Sequence, residues 1–285
     1  MTEAQAAGTA AASLWLIVVV PLTLRLLTAL KMVRPNFRGD GVPVGAGLAV
    51  IAWSAPALLA WPPQPRPAAP DAMALLVVLC AFGALGFIDD RWGDRSSSGL
   101  RGHFRRLLLE GRVTTGALKA IGGVGVGVAT ARFGLGAAWP EALLSGAVIA
   151  LSANALNLLD LRPGRAGAAL LIAAVPLLAA GWTADGPPAL ALVWLPAFAL
   201  YAWDRRGLAM MGDTGSNALG ASLGLSLCAA LPTVWLIAAL AALTTLHLAA
   251  ERSSLSELID RSPLLRRVDG WTGVRRSDPD RPSRV

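Results

Sequence analysis

The sequence predicts an all-α fold: a polytopic transmembrane helical bundle of about nine spans, with its N-terminus outside and its C-terminus in the cytoplasm. Three observations predict it. Of the 285 residues, 55% are hydrophobic and only 15% are charged. Several apolar runs approach the twenty residues that a helix needs to cross a bilayer. And 21 of the 25 basic residues fall in alternate connections between those runs, the asymmetry by which cytoplasmic loops retain Lys and Arg.

The spans are expected at about 12–30, 44–61, 71–88, 117–132, 140–159, 167–182, 187–203, 215–231 and 233–250. The first is read as a span and not as a secretion signal, because nothing basic precedes Ser13 and no small-residue cleavage site follows Pro21. The basic connections are 31–43, 89–116, 160–166, 204–214 and 251–285, whereas 62–70 and 133–139 hold only Arg66. An odd number of spans agrees with termini on opposite sides. "WPPQPRPAAP" (61–70) is a proline-rich outer loop, and the last two spans flank Leu231–Pro232, where a tight turn is required.

Residues 1–250 thus form one membrane domain, and 251–285 a cytoplasmic remainder. Within that remainder "ERSSLSELIDRSPLLRRVDGW" (251–271) has the pattern of an amphipathic interfacial segment with Leu255, Leu258 and Ile259 facing lipid, and "RRSDPDRPSRV" (275–285) that of a disordered tail. The net charge of +7 is spread over the loops of one side, so it reports orientation and gives no reason to expect nucleic acid. Cys80 and Cys228 lack any CxxC or CxxH spacing and imply neither metal nor disulfide.

Polar groups are costly inside a span, so their positions are informative. "GFIDDRWGD" puts Asp89 and Asp90 where the third span reaches the cytoplasm, "NALNLLD" puts Asn154, Asn157 and Asp160 at the cytoplasmic end of the fifth, and "MGDTGSNALG" puts Asp213 just before the eighth. All three clusters meet one face of the membrane. Steps of three residues spread Asn154, Asn157 and Asp160 over an arc of roughly 120°, a single stripe that can point at one ligand. Asp89 and Asp90 point apart, one toward a site and the other toward a supporting or capping position.

Carboxylates and amide oxygens without thiols suit a hard cation, Mg2+ or Mn2+, better than zinc. "GDTGS" is a glycine-interrupted turn whose backbone N–H groups can add to an anion site. Arg91, Arg95, Arg101, Arg105 and Arg106, with His103 among them, lie on the adjoining loop and would draw in a polyanion. The composition therefore points to a metal-bound diphosphate at the inner leaflet, where phosphoryl transfer needs chiefly positioning and charge neutralisation.

These motifs resemble those of the polyprenyl-phosphate N-acetylhexosamine-1-phosphate transferases, the superfamily that includes phospho-N-acetylmuramoyl-pentapeptide transferase and is grouped as glycosyltransferase family 4. "GFIDD" is similar to that family's aspartate pair, "NALNLLD" to its NxxNxxD motif and "MGDTGSNALG" to its MGDTGS motif, in the same order. The resemblance implies a Mg2+-dependent enzyme of cell-envelope polymer synthesis. It would transfer a sugar 1-phosphate from a UDP-sugar to a polyprenyl phosphate and release UMP, and homodimers would accord with the family.

It further implies that Asp213 ligates Mg2+ together with Asp160, and that Asp89, with Asp90 beside it, positions or deprotonates the lipid phosphate. Asn157 and Asp160 would contact the nucleotide sugar, Asn154 would support them, and Lys119 would contact phosphate.

The chain departs from the family in two places. After Asp160 the family continues DGxDG, whereas here "LRPGRAG" follows, with Arg162 and Arg165 as substitute cationic contacts to substrate; and the histidine-rich loop near the family's C-terminal end is replaced by 251–271. Those losses motivate a second reading, a non-catalytic member that binds polyprenyl phosphate or a partner and regulates envelope assembly. A transporter would instead break its helices at mid-membrane depth.

Overall fold

The computed structural model describes residues 17–36, 38–61, 70–93, 114–181, 188–253 and 255–272. Each of the nine apolar segments contains one helix. They are α1 (Ile17–Ala29), α2 (Leu48–Leu59), α3 (Ala72–Trp92), α4 (Thr115–Gly134), α5 (Trp139–Leu159), α6 (Arg165–Gly181), α7 (Ala191–Asp204), α8 (Gly212–Ala230) and α9 (Thr233–Arg252). Local chemistry marks their starts. The Asp71 carboxylate accepts from the Ala74 N–H at 2.6 Å and the Thr114 hydroxyl from the Ala117 N–H at 3.2 Å, each satisfying a donor that a helix N-terminus leaves open.

Three of these helices, α3, α5 and α9, are long and apolar enough to cross a membrane by length and composition. The shorter α2, α6 and α7 each carry an internal proline, Pro56, Pro176 and Pro196, which removes one backbone donor. The tight turn at Leu231–Pro232 is present: α8 ends at Ala230 and α9 starts at Thr233.

The most extensive packing is that of α8 against α5 and α3, with α4 beside α5 and α3. Thirteen of the nineteen residues of α8 are buried, so it is a core helix, and its hydroxyls are satisfied inside the protein. Ser222 accepts from the Trp194 indole N–H at 2.9 Å and donates to the Leu219 carbonyl at 2.8 Å. α9 is the opposite case. Val234, Trp235 and Ile237 are 66%, 62% and 56% exposed, an apolar surface of the kind that lipid covers.

One element departs from the all-α expectation. In the segment before α2, β1 (Val33–Pro35) pairs antiparallel with β2 (Gly41–Pro43) in a small hairpin. The chain then runs on through Val44, which bridges in parallel to Met210. Met210 N–H donates to the Pro43 carbonyl at 2.9 Å, and the N–H groups of Ala46 and Gly47 donate to the Met210 and Met211 carbonyls at 3.0 Å. This main-chain seam fixes the turn that opens α8.

Two short helices follow α9: α10 (Leu255–Arg261) and α11 (Pro263–Thr272). Leu255, expected to face lipid, is instead buried, and Ile259 is only partly exposed. The Leu258 side chain and the tail at 275–285 lie outside the described residues.

Candidate active site

Four helices end or begin at the same place. Asp89 lies in the last turn of α3, Lys119 in the first turns of α4, Asn157 in the last turn of α5 and Asp213 in the first turn of α8. The Lys119 ammonium donates to the Asp89 carboxylate at 3.1 Å and more closely to Asp213, on the same oxygen to which the Asn157 amide donates at 3.2 Å. The Asn157 carbonyl oxygen in turn accepts from the Ser216 hydroxyl at 3.0 Å. Residues spread over more than 120 positions of sequence thus form one connected polar network.

Asp90 does something different from its neighbour. It is buried, and its two carboxylate oxygens accept from the Asp213 N–H at 3.0 Å, the Thr214 N–H at 2.9 Å and the Thr214 hydroxyl at 2.7 Å. It therefore caps the start of α8, where unpaired N–H groups and the helix dipole both favour a carboxylate. Its own carbonyl accepts from the Arg34 guanidinium at 2.8 Å. The two neighbours thus point to different partners: Asp89 contacts Lys119, and Asp90 holds the backbone that carries Asp213.

The turn requires glycine at two points. Gly212 has φ +72°, and a β-carbon there would stand 2.7 Å from an Asp90 carboxylate oxygen. At Gly86, a turn before Asp90 on α3, a β-carbon would meet the Asp213 carbonyl oxygen at 2.1 Å. α3 can approach the Asp213 backbone this closely only where the side chain is missing.

Asp160 ends α5, outside the span. It lies near the Gly212 backbone N–H and Asp204; burial first, then the neighbouring Asp204 charge, push its pKa well above the ordinary carboxylate range. No hydrogen bond joins it to Lys119 among the described residues. Asn154, partly buried a turn before Asn157, likewise makes no hydrogen bond to the network.

Arg162 and Arg165 have carboxylate partners within the protein. Both were expected to meet substrate, yet Arg165 is buried in a two-pronged pair with Asp269 of α11, Nε to Oδ1 at 2.7 Å and a terminal nitrogen to Oδ2 at 3.1 Å. Arg162 reaches Asp260 of α10 at 3.3 Å and Asp269 at 3.4 Å. Their charges are matched by carboxylates of the C-terminal helices. Of the loop cations only Arg91 is described, and it stacks near Trp92; Arg95, Arg101, His103, Arg105 and Arg106 lie outside the described residues.

Sequence reasoning missed Asp204. Its buried carboxylate accepts from the Gly164 N–H at 2.7 Å and the Met211 N–H at 3.4 Å, tying the connection after Asp160 to the turn before Asp213. An acid ending an apolar helix just before a glycine-containing turn was the available signal.

Among the described residues no group of three or more His, Cys, Asp or Glu side chains is arranged to hold a metal by itself. Mg2+ does not demand one, because it commonly binds one or two carboxylates together with waters and substrate phosphates. Asp89 and Asp213, sharing a single lysine, have the negative charge and oxygen donors to fit that mode.

Residues 72–231 match the model of glycosyl transferase family 4, more than half of the chain. The chain belongs to that family. The family region begins at the first residue of α3 and ends just after α8, so it contains Asp89, Lys119, Asn157, Asp160 and Asp213. It leaves out the hairpin that braces the turn and the two C-terminal helices that pair with Arg162 and Arg165. The chain is thus a glycosyltransferase of this family with membrane-protein character. No curated protein sequence matches the chain.

Proposed function

We propose that this family 4 glycosyltransferase is a phosphoglycosyl transferase working at the cytoplasmic face of the cell membrane in envelope polymer synthesis, with nine spans and an outside N-terminus. The observation that carries the reading is the placement of one lysine between Asp89 and Asp213 where four helices converge. A phosphate oxygen of polyprenyl phosphate attacks the sugar-bearing phosphorus of the UDP-sugar. The bond from that phosphorus to the oxygen bridging the two phosphates breaks, and UMP leaves with that oxygen, so a lipid-linked diphosphate sugar forms and atoms balance.

Asp213, with Asp89, would hold Mg2+, which supplies charge neutralisation at the diphosphate when bound. Lys119 offers a cation to the same phosphates. Asp89 orients the attacking lipid phosphate. Asn157, braced by Ser216, presents its amide to the donor, while Asp90 and Gly212 keep the α8 N-terminus rigid beneath the reacting groups. Asp160 and Asn154 line the donor side.

The test is UMP release by the purified, detergent-solubilised protein given undecaprenyl phosphate and a panel of UDP-sugars, with Mg2+, Mn2+ or EDTA. Metal-dependent release with one donor is expected, and it names the sugar. A folded protein that binds polyprenyl phosphate yet releases no UMP with any donor is instead a non-catalytic member of the family.

A further inference from the structure

α9 ends at Arg252 and α10 begins three residues later, so the two C-terminal helices follow directly on a helix long and apolar enough to cross a membrane. Their carboxylates Asp260 and Asp269 are turned toward the body of the protein, against Arg162 and Arg165. Tyr201 adds a bond from its hydroxyl to the Thr272 carbonyl at 3.0 Å, so the end of α11 is held as well. This anchoring fixes which way α11 faces.

At 100° per residue, Leu264 and Trp271 lie roughly 140–160° around α11 from Asp269, with Arg267 beside them. Leu264 is 71% exposed and Trp271 is 77% exposed. With Pro263, Arg266, Arg267 and Gly270 they border one open stretch of surface along the helix. An outward apolar strip with an indole at one end and Arg267 on its flank is the pattern of a helix that lies in a membrane interface.

The geometry points to the outer face of α11 as a docking surface for anionic phospholipid: Leu264 and Trp271 enter the headgroup region, and Arg267 pairs with lipid phosphates. The occupant is lipid because the surface is amphipathic, carries Arg267 on its flank, and begins eleven residues after a helix long and apolar enough to cross a membrane. The face expected from sequence, Leu255 with Ile259, is the one turned inward.

The experiment uses the full chain with Cys80→Ala and Cys228→Ala and an environment-sensitive fluorophore on Leu264→Cys, or on Trp271→Cys as a second site. The protein is placed in nanodiscs of phosphatidylcholine alone or with phosphatidylglycerol. Emission should shift to shorter wavelength and be quenched by lipids brominated near the headgroup when phosphatidylglycerol is present, and Arg267→Glu should remove most of both effects. Water-like emission at both sites in every disc overturns the proposal. So does a shift already complete in detergent that grows with protein concentration, which would mean that a second copy covers the face, and so does equal quenching in both lipids.

Discussion

Two clusters of paired charge stand at the same end of the bundle, and they are built on opposite principles. Around Arg165 the charges balance: two arginines meet two carboxylates, and the most buried pair is two-pronged. Around Lys119, among the described residues, they do not, because one lysine serves two carboxylates, one of which also takes the Asn157 amide. A balanced cluster has no need of a further partner, whereas an unbalanced one retains attraction for a cation. Among the described residues the two clusters thus differ in how many partners each charge has.

The contrast should break most visibly at Asp269. Asp269→Ala leaves Arg165 buried without its partner, a change that costs on the order of 3–5 kcal/mol. The expected outcome is detachment of α10 and α11, read as faster hydrogen exchange and proteolysis across 255–272 with α3, α5 and α8 unchanged. Replacing both partners with apolar residues, Arg165→Met with Asp269→Leu, should recover most of that loss, since a buried ion pair is often matched by well-packed hydrophobic groups.

Asp213→Asn should lower UMP release by about 100- to 1,000-fold, the range seen when one preorganised electrostatic group is removed. The melting temperature in detergent should hold or rise, because the cluster it weakens is negatively unbalanced. If Asp213→Asn instead melts the protein as Asp269→Ala loosens its helices, the distinction between the two clusters fails.

Asp90→Ala tests the residue beside the unbalanced cluster. It removes three accepted hydrogen bonds at the start of α8, so it should cost about 1–2 kcal/mol of stability, as the loss of a strong cap does. Thermal unfolding checks it, and Asp90→Asn should recover part of the loss. Arg162→Ala should matter least. Its pair with Asp260 joins half-exposed side chains at 3.3 Å, and such pairs contribute below about 1 kcal/mol.

The sequence disclosed the helices well because hydrophobic runs are local: all nine expected segments hold a helix, and their ends fall within five residues or so of expectation in the described chain. It also brought Asp89, Asn157 and Asp213 to one end of the bundle, since alternating loops place every second span-end on the same side. What it could not disclose was pairing. That Arg165 meets a carboxylate 104 positions away, or Asp204 the backbone of Gly164, is a property of tertiary contact with no trace in periodicity. The C-terminal helices were misread for the same reason: Leu255 and the exposed Leu264 are alike as letters, and only the anchoring of Asp269 decides which face turns out. The hairpin was missed because its three-residue strands are too short for a pattern of alternation to register.

The seam between residues 43–47 and 210–211 imposes an order on biosynthesis. The hairpin leaves the ribosome early, but the residues it bonds to do not exist until some 165 further residues, α3 to α7 among them, have been made. Asp90 waits just as long for the backbone it caps. The cluster of Asp89, Lys119 and Asp213 is therefore among the last parts of the protein to be assembled, and a chain stalled before Met210 carries every preceding helix but neither Asp213 nor the backbone that Asp90 caps.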